Sequence, residues 1–256
     1  GTWLVRMEDL DPPREEPGAA ARILAGLENH GLLWDEDVTY QSQRGEAYAA
    51  ALAELASRSL LFSCDCTRQK LGPDGACRGN CRNRQGHLAT PVAIRVDPPG
   101  DCRISFCDRI QVNVCDGIEL PDFVLRRKDG LFAYQLAVVV DDAWQGITHI
   151  VRGSDLLDST PRQVFLQQAL DYHTPLYSHI PVITDRGGQK FSKQNHAPAL
   201  DDHDAPANLR AALNFLRQSE PPPALQTSEQ ILAFASEHWQ PGRIPPVMAI
   251  TAGGAS

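Results

Sequence analysis

Four cysteines that stand close together in the chain are the first residues whose type and spacing could do chemistry. A single residue separates Cys64 from Cys66, and three residues separate Cys77 from Cys81. Thiolates are preferred ligands of Zn²⁺, and four of them complete the tetrahedron of a structural zinc site. Disulfides are the alternative, but the seven cysteines of the chain cannot all pair, and a Cys-x-Cys spacing is hard to bridge. We therefore expect structural zinc on these four, and interpret the others as ordinary buried cysteines: Cys102, Cys107 and Cys115.

A second candidate is a pair of lysines in residues 189–194 (QKFSKQ), which follow a strand and the glycine-containing loop 185–188. Lys190 and Lys193 flank a serine hydroxyl, and two such cations on a loop could grip a triphosphate and stabilise its developing charge. A short Lys-x-Ser-Lys pattern also occurs on ordinary protein surfaces. A solvated loop therefore remains the alternative.

The charge balance does not by itself indicate a nucleic-acid partner. The formal net charge is −8, whereas phosphate neutralisation needs a basic face. The 24 lysines and arginines could nevertheless gather on one side of the molecule. Two clusters could do this, or could simply be a solvated charged surface: Arg78, Arg82 and Arg84, and Arg126, Arg127 and Lys128.

The elements that must position these residues alternate between helical and extended patterns. Apolar spacing predicts helices over residues 18–33, 43–59, 160–170, 207–216 and 229–237. Gly31 is expected to end the first helix, and Pro161 to stand in the first turn of the third. Strands are predicted over residues 3–7, 122–126, 132–140, 147–152 and 180–183. The apolar run at 138–140, with two aspartates after it, suits a buried parallel strand whose carboxyl end meets a ligand cleft.

Length and composition place the chain among globular proteins. Its 256 residues are 42% apolar and 22% charged, and no apolar run approaches the length of a membrane span. We expect a soluble cytoplasmic protein. The first residues already have the composition of a strand, so the chain is expected to begin inside a domain.

Several blocks together resemble the class I aminoacyl-tRNA synthetases that activate glutamate. These blocks are residues 6–14 (RMEDLDPPR), 138–142 (VVVDD), 146–153 (GITHIVRG) and 190–194 (KFSKQ), the last being similar to the KMSKS loop. Their order and spacing cover roughly residues 1–200. The chain is most similar to the short members of this family, through residues 11–15 (DPPRE), the Cys-x-Cys insert, 132–137 (FAYQLA) and 192–197 (SKQNHA).

The resemblance implies an α/β fold, in which an insert that carries zinc splits a Rossmann-like catalytic domain. The implied parts are residues 1–62 and 126–197 for the two pieces of the catalytic domain, 63–125 for the insert, and 198–256 for a helical C-terminal region. The HIGH motif of the family lies upstream of the Arg-x-Glu-Asp segment, so we expect a further segment to precede Gly1. The isolated histidines are interpreted as caps or surface residues rather than as replacements for that motif: His30, His149 and His196.

The resemblance also implies roles for individual residues. Glu8 would face the substrate ammonium, Tyr134 would line the glutamate pocket from a strand, and Arg152 would hold a substrate carboxylate. Lys193 would contact ATP, with Lys190 as the other catalytic lysine of the loop. The four cysteines match the zinc positions, although some relatives carry tyrosine where this chain has Cys77. The alternatives are a surface ion pair or helix cap for Glu8 and a core position for Tyr134.

The function that the resemblance implies is the activation of L-glutamate by ATP and Mg²⁺, followed by transfer to queuosine in the anticodon of tRNA(Asp). The expected partners are therefore glutamate, ATP and that tRNA, and we expect a monomer. One alternative is the catalytic part of a longer glutamyl-tRNA synthetase that charges a tRNA 3′ end. The other is a non-catalytic RNA-binding paralogue held together by zinc.

Overall fold

The structure, a computed structural model, describes residues 1–111, 117–191 and 200–252. Within these residues the chain forms six α-helices and eleven short β-strands. The helices are α1 (Ala19–Asn29), α2 (Gly45–Ser57), α3 (Tyr134–Trp144), α4 (Thr160–Ala169), α5 (Ala205–Phe215) and α6 (Ser228–Glu237). None of the described helices combines the length and the apolar character needed to cross a lipid bilayer.

The strands pair in five small sheets. Three are parallel pairs: β1 (Arg6–Met7) with β2 (Thr39–Tyr40), β8 (His149–Gly153) with β9 (Leu176–Ile180), and β10 (Val182–Thr184) with β11 (Ala249–Thr251). One is a three-stranded antiparallel sheet of β3 (Leu61–Cys64), β4 (Ala93–Val96) and β7 (Phe123–Arg126). The last is the antiparallel pair of β5 (Arg103–Ile104) and β6 (Ile118–Glu119). The content is therefore mixed α/β, with parallel pairs on both sides of the antiparallel segment.

Several local predictions are confirmed. Helices α1, α2 and α4 fall within the predicted stretches, and Pro161 stands in the first turn of α4. Gly31 follows α1 with φ of 72°, a left-handed conformation that glycine adopts at low cost. His30 caps the end of α1, where its Nδ1 contacts the carbonyl oxygen of Gly26 at 2.6 Å. His149 is exposed, as expected, whereas His196 lies outside the described residues.

The strand predicted over residues 132–140 is wrong, because residues 134–144 form the helix α3. All residues from Leu136 to Asp142 are buried, so the middle of this helix has no solvated face, although Ala143 and Trp144 at its end are exposed. An apolar run of this length has no polar face to reveal a 3.6-residue period, and periodicity alone does not separate it from a buried strand. The weak helix propensity of three consecutive valines is outweighed by burial against α2 and α4. Tyr134 therefore begins a helix rather than lying within a strand.

The main core joins segments that the sequence divided into separate parts. Helices α2, α3 and α4 contribute Leu55, Leu136 and Leu166, each with no exposed surface. Val96 and Leu125, from the antiparallel sheet, belong to the same cluster. Part of the segment 63–125 thus packs into the core formed by α2, α3 and α4, and a smaller apolar cluster surrounds the four cysteines.

The C-terminal region contains a strand that the sequence did not indicate. Helices α5 and α6 pack against each other, and Asn208 of α5 contacts the ring of His30 at 3.0 Å. Beyond α6 the chain returns to the segment after β9, where β11 pairs with β10. The hydroxyl of Ser154 donates a hydrogen bond to the carbonyl oxygen of Met248, which ties this return to the segment after β8.

Candidate functional site

One cavity of about 430 Å³ brings together three residues that lie far apart in the sequence. Glu8 follows β1, Tyr134 begins α3, and Arg152 lies in β8; all three line this cavity. Arg6 and Asp142 line it as well. The cavity wall therefore carries two carboxylates, two guanidinium groups and a phenol, a set suited to a small zwitterionic ligand with charges of both signs.

The ion pair between Arg6 and Asp142 forms one side of the cavity. Arg6 Nη2 lies 2.8 Å from Asp142 Oδ1, and Arg6 Nη1 donates to Gln145 Oε1 at 2.6 Å. Burial raises the pKa of Asp142, while the charge of Arg6 opposes that shift. This pair holds the start of β1 against α3, which brings Glu8 and Tyr134 to the same cavity.

Glu8 is the more accessible carboxylate, with its side chain 44% exposed and 3.8 Å from Arg6. Burial of the group raises its pKa above the ordinary value, and nearby Asp142 acts in the same direction, against Arg6 and Arg152. A cationic ligand beside this carboxylate would reverse the shift and favour the ionised form. Burial, followed by the charge of Glu8, raises the pKa of the Tyr134 hydroxyl, which therefore stays protonated and can donate a hydrogen bond.

Arg152 is held on one edge of its guanidinium group. Its Nε donates to Nε2 of His179 at 3.0 Å, and its Nη2 donates to the hydroxyl of Thr160 at 2.8 Å. Its planar group also lies over the ring of Tyr177, 5.3 Å from the ring centre. Among the described residues no group accepts a hydrogen bond from Nη1, which leaves that nitrogen for a ligand.

The lysine loop is described only in part. Lys190 bridges to Thr184 of β10, and its Nζ lies 2.5 Å from Asp155 Oδ2. The turn before it is closed by Asp185, whose carboxylate accepts from the amides of Gly187 and Gln189 at 2.8 Å each. Lys193 lies outside the described residues, as does Cys115.

The four cysteines form a compact, buried cluster that could hold a metal ion. The sulfur atoms of Cys64, Cys66, Cys77 and Cys81 all lie within 4.8 Å of one another. Cys66 Sγ is 3.6 Å from that of Cys77 and 3.5 Å from that of Cys81. All four are free cysteines in the structure, and both separations are longer than the ~2.05 Å of a disulfide bond. These separations are close to the ~3.8 Å between sulfurs that a tetrahedron with Zn–S bonds of ~2.3 Å requires.

The backbone around the cluster is shaped for these sulfurs. A Cβ atom on Gly79 would lie 2.5 Å from Cys66 Sγ, so that only glycine fits. Burial opposes ionisation of Cys77, but hydrogen bonds from the amides of Cys81 and Gly79 lower its pKa to about 7. Burial raises the pKa of Cys64 and of Cys81 instead, so binding of a divalent metal would have to displace protons from those two thiols.

A buried carboxylate fastens this cluster to the antiparallel sheet. Asp122 accepts from the amide of Cys77 at 3.1 Å and pairs with Arg82 at 2.6 Å and with Arg95 at 2.5 Å. Asp122 and Arg95 are both almost completely buried. Burial opposes ionisation of Asp122, but these hydrogen bonds outweigh it and lower the pKa.

The two remaining cysteine predictions within the described residues hold only in part. Cys102 is half-buried, whereas Cys107 is exposed, so the prediction of a buried cysteine at position 107 is wrong. Cys107 lies in the connection after β5, where its neighbours Phe106 and Asp108 turn inward instead. Sequence composition did not reveal which side of this irregular segment faces solvent.

Most of the basic clusters are neutralised locally. Arg82 and Arg84 pair with Asp97 and Asp65 at 2.5 and 2.7 Å, and Arg127 pairs with Asp129 at 2.6 Å. The remaining members are also engaged, by Asp74 for Arg78, by the Gly130 carbonyl oxygen for Arg126 and by the Asp65 carbonyl oxygen for Lys128. The solvated-surface interpretation of these clusters therefore fits better than an open cationic face.

Sequence reasoning missed five residues of this site. Arg6 and Asp142 stood inside the quoted motifs without a role of their own. His179, Asp108 and Thr160 carried no signal. The contact of His179 with Arg152 depends on how strands β8 and β9 align, Thr160 reaches Arg152 from α4, and Asp108 contacts His179 rather than Arg152.

Comparison with known proteins gives matches over most of the chain. The family model described as tRNA synthetases class I (E and Q), catalytic domain, matches residues 1–219. A glutamyl-Q tRNA(Asp) synthetase of Pseudomonas fluorescens (strain Pf-5) is 48% identical over 255 residues, which cover 98% of this chain and 85% of the relative. The protein of the same name from Thiobacillus denitrificans is 49% identical over 263 residues, covering 97% and 86%.

Solved structures match the fold at low sequence identity. The glutamate-tRNA synthetase of Elizabethkingia anophelis superposes with a TM-score of 0.75 at 20% identity, over 99% of this chain. A glutamate tRNA ligase of Elizabethkingia meningosepticum, solved with its amino acid, gives a TM-score of 0.73 at 20% identity over 97% of this chain. The chain spans 62% and 60% of the lengths of these two proteins.

Proposed function

Since this chain belongs to the class I tRNA synthetases of the glutamate and glutamine type, within the glutamyl-Q tRNA(Asp) synthetase family, we propose that it joins L-glutamate to tRNA(Asp) at the expense of ATP. It is an enzyme of the tRNA-synthetase ligase type, which activates glutamate. The observation that carries the proposal for this chain is the convergence of Glu8, Tyr134 and Arg152 on one cavity.

In the first step a carboxylate oxygen of glutamate attacks the α-phosphorus of ATP. The bond to the bridging oxygen breaks, pyrophosphate leaves with the electron pair, and glutamyl-adenylate remains. The protein contributes position and charge rather than a covalent intermediate. Mg²⁺ bound to ATP would offset charge on the phosphates.

The roles of individual side chains follow from their charges. Glu8 pairs with the substrate ammonium, the Tyr134 hydroxyl donates a hydrogen bond in the pocket, and Arg152 holds a carboxylate with its free edge. Lys190 and Lys193 bind the triphosphate from the loop after β10. In the second step a hydroxyl group of queuosine in the anticodon of tRNA(Asp) attacks the activated carbonyl, AMP leaves, and the hydroxyl proton is lost.

A direct test is glutamate-dependent exchange of pyrophosphate into ATP, with and without tRNA. We expect exchange without tRNA, and transfer of labelled glutamate to tRNA(Asp) only when the tRNA contains queuosine. Exchange that requires tRNA, with label on a 3′ end, would favour a catalytic part of a longer glutamyl-tRNA synthetase. A folded protein with no exchange under either condition would favour the non-catalytic RNA-binding alternative.

We further propose that the four-cysteine cluster holds a structural Zn²⁺. All four ligands come from the protein, which leaves no open position for chemistry at the metal. In a segment with a small apolar cluster of its own, the ion would contribute folding free energy directly.

Replacing Cys77 with serine tests this site. Mutation of residues that only hydrogen-bond to metal ligands typically lowers metal affinity by about 10- to 100-fold. Loss of a thiolate ligand itself should therefore lower the affinity at least as much. We expect the zinc content of the purified protein to fall, and its thermal unfolding temperature with it. Cys107→Ser is the matched control, because that thiol is exposed and outside the cluster, and it should leave the zinc content unchanged. If the unmutated protein contains no zinc, the proposed zinc site is wrong.

A further inference from the structure

A buried histidine lies directly behind the arginine of the proposed glutamate pocket. Strands β8 and β9 run parallel, and their register places Arg152 opposite His179. Side chains at paired positions stand on the same face of a sheet, so the register alone brings the two groups together. His179 has no exposed surface, which separates it from any ligand in the cavity.

The ring of His179 has one donor and one acceptor position, and the structure assigns both. Nε2 faces the Nε–H of Arg152 at 3.0 Å, and because an arginine Nε–H can only donate, Nε2 must accept. Nδ1 faces Asp108 Oδ2 at 2.6 Å, and a carboxylate there can only accept, so Nδ1 carries the proton. Asp108, His179 and Arg152 thus form a chain of hydrogen bonds that all run in one direction.

Asp108 is itself fixed from several sides. Its Oδ1 accepts from the amides of Ile110 at 3.0 Å and of Gln111 at 2.8 Å. The backbone of Asp108 pairs with Tyr177 of β9, which places the carboxylate against the strand that carries His179. Burial opposes ionisation of Asp108, but the amide donors and the ring of His179 outweigh it and lower the pKa, so Asp108 is ionised.

The charges around His179 favour the neutral ring. Burial lowers its pKa, the hydrogen bond to Asp108 opposes that shift, and the charge of Arg152 adds to it. Asp155, the other charged group that acts on the ring, also opposes the shift, and Tyr177 stacks beside it without charge. A neutral ring keeps the Nε2 lone pair available, whereas an imidazolium would present a second donor and a positive charge to Arg152.

We propose that Asp108 and His179 are positioning residues for glutamate binding, which fix the plane and rotation of the Arg152 guanidinium group so that its Nη1 edge faces the pocket; this rests on the function proposed above. Thr160 acts with them, since its hydroxyl accepts from Nη2 at 2.8 Å. His179 and Thr160 hold the inner edge of the guanidinium group, Nε and Nη2. The outer edge, with Nη1, remains for a substrate carboxylate. A long side chain fixed before the ligand arrives loses less entropy on binding.

Replacing His179 with leucine tests the chain of hydrogen bonds. A hydrogen bond to a charged group is removed, and we expect the KM for glutamate to rise by about 10- to 100-fold in pyrophosphate exchange. The KM for ATP should not change, because Arg152 is the cavity-lining residue to which His179 is hydrogen-bonded. His179→Gln should restore much of the glutamate affinity, since its side-chain oxygen can accept from Arg152 Nε as Nε2 does. His173→Leu is the matched control, because His173 is exposed just before β9.

Two further measurements do not depend on the folding of the leucine variant. Thr160→Val removes one acceptor with little change of shape, and should also raise the KM for glutamate alone. Nitrogen NMR of the histidine rings in the intact protein should show His179 neutral, with its proton on Nδ1, at neutral pH.

The outcomes separate the two proposals. If the wild-type protein performs exchange, and the glutamate KM is unchanged in both His179→Leu and Thr160→Val, the positioning role is wrong but the proposed function stands. A charged ring, or a proton on Nε2, also overturns the positioning role. Equal increases in the KM for glutamate and for ATP would indicate general damage and count against it as well. Wild-type protein without exchange overturns the proposed function, and the positioning role with it.

Discussion

Replacing Arg152 with alanine should raise the KM for glutamate by about 30- to 4,000-fold, which corresponds to a loss of about 2–5 kcal/mol of charge pairing. The guanidinium group lines the cavity, and its inner edge is already held by His179 and Thr160. Its loss removes the proposed partner of a substrate carboxylate, and also leaves two buried acceptors without their donor. Glutamate-dependent pyrophosphate exchange, with each substrate varied in turn, measures the effect.

Two variants separate the charge of Arg152 from its shape. Arg152→Lys keeps the charge but lacks the planar guanidinium group. One ammonium group cannot donate to His179, to Thr160 and to a carboxylate at the positions that Arg152 serves, so an intermediate KM for glutamate is expected. Arg22→Ala removes an exposed arginine of α1, which pairs with Glu16, and should leave both KM values unchanged. An unchanged glutamate KM in Arg152→Ala would remove this residue from the pocket.

Replacing Asp141 with alanine should lower the free energy of unfolding by about 3–5 kcal/mol. This carboxylate has no exposed surface and accepts from Gln41 Nε2 at 2.8 Å, Arg44 Nε at 2.5 Å and the Tyr48 hydroxyl at 2.7 Å. These donors come from α2 and the segment before it, so the carboxylate joins α2 to α3. Its removal would leave a largely buried arginine without its counter-charge, in addition to two unpaired neutral groups.

Urea unfolding followed by circular dichroism measures this loss. Glu54→Ala is the matched control, because it also removes a carboxylate that pairs with an arginine. The Glu54 side chain is 50% exposed, and its partner Arg58 is accessible as well. An exposed pair of this kind contributes roughly 0–1 kcal/mol. A loss in Asp141→Ala no larger than in the control would show that the buried network contributes little to stability.

The neighbouring Asp142 has a different use. It faces the cavity and pairs with Arg6, so two adjacent aspartates of α3 serve the core and the site respectively. Asp141→Ala is therefore expected to disturb the site only through the position of α3.

The sequence was informative where local chemistry decides the structure. Glycine at a left-handed position ends α1 at Gly31, proline fits the first turn of α4, and four thiols at short spacing cluster around Cys66. The convergence of Glu8, Tyr134 and Arg152 on one cavity was expected from matched motifs and not from their spacing. Their roles in binding remain proposals.

The sequence was least informative where long-range packing decides. Helix α3 looked like a strand, because burial of its middle turns, Leu136 to Asp142, removed the polar face that marks a surface helix. The partner of Arg152 was not visible, because His179 reaches it only through the alignment of two strands 27 residues apart. Strand β11 was missed for the same reason, since an isolated three-residue strand is defined by its partner and not by its composition.

The hydrogen-bonded inner edge of Arg152 has a consequence for how the accepted amino acid could change. A neutral side chain at position 152, as recognition of an uncharged amide substrate would favour, leaves the buried acceptors of His179 and Thr160 without a donor. The first mutational step towards another amino acid is thus penalised by the supporting residues before any benefit appears. If Arg152 holds a substrate carboxylate as proposed, we expect a change of substrate preference at this position to be accompanied by changes at His179 and Thr160, which makes such a change hard to reach one codon at a time.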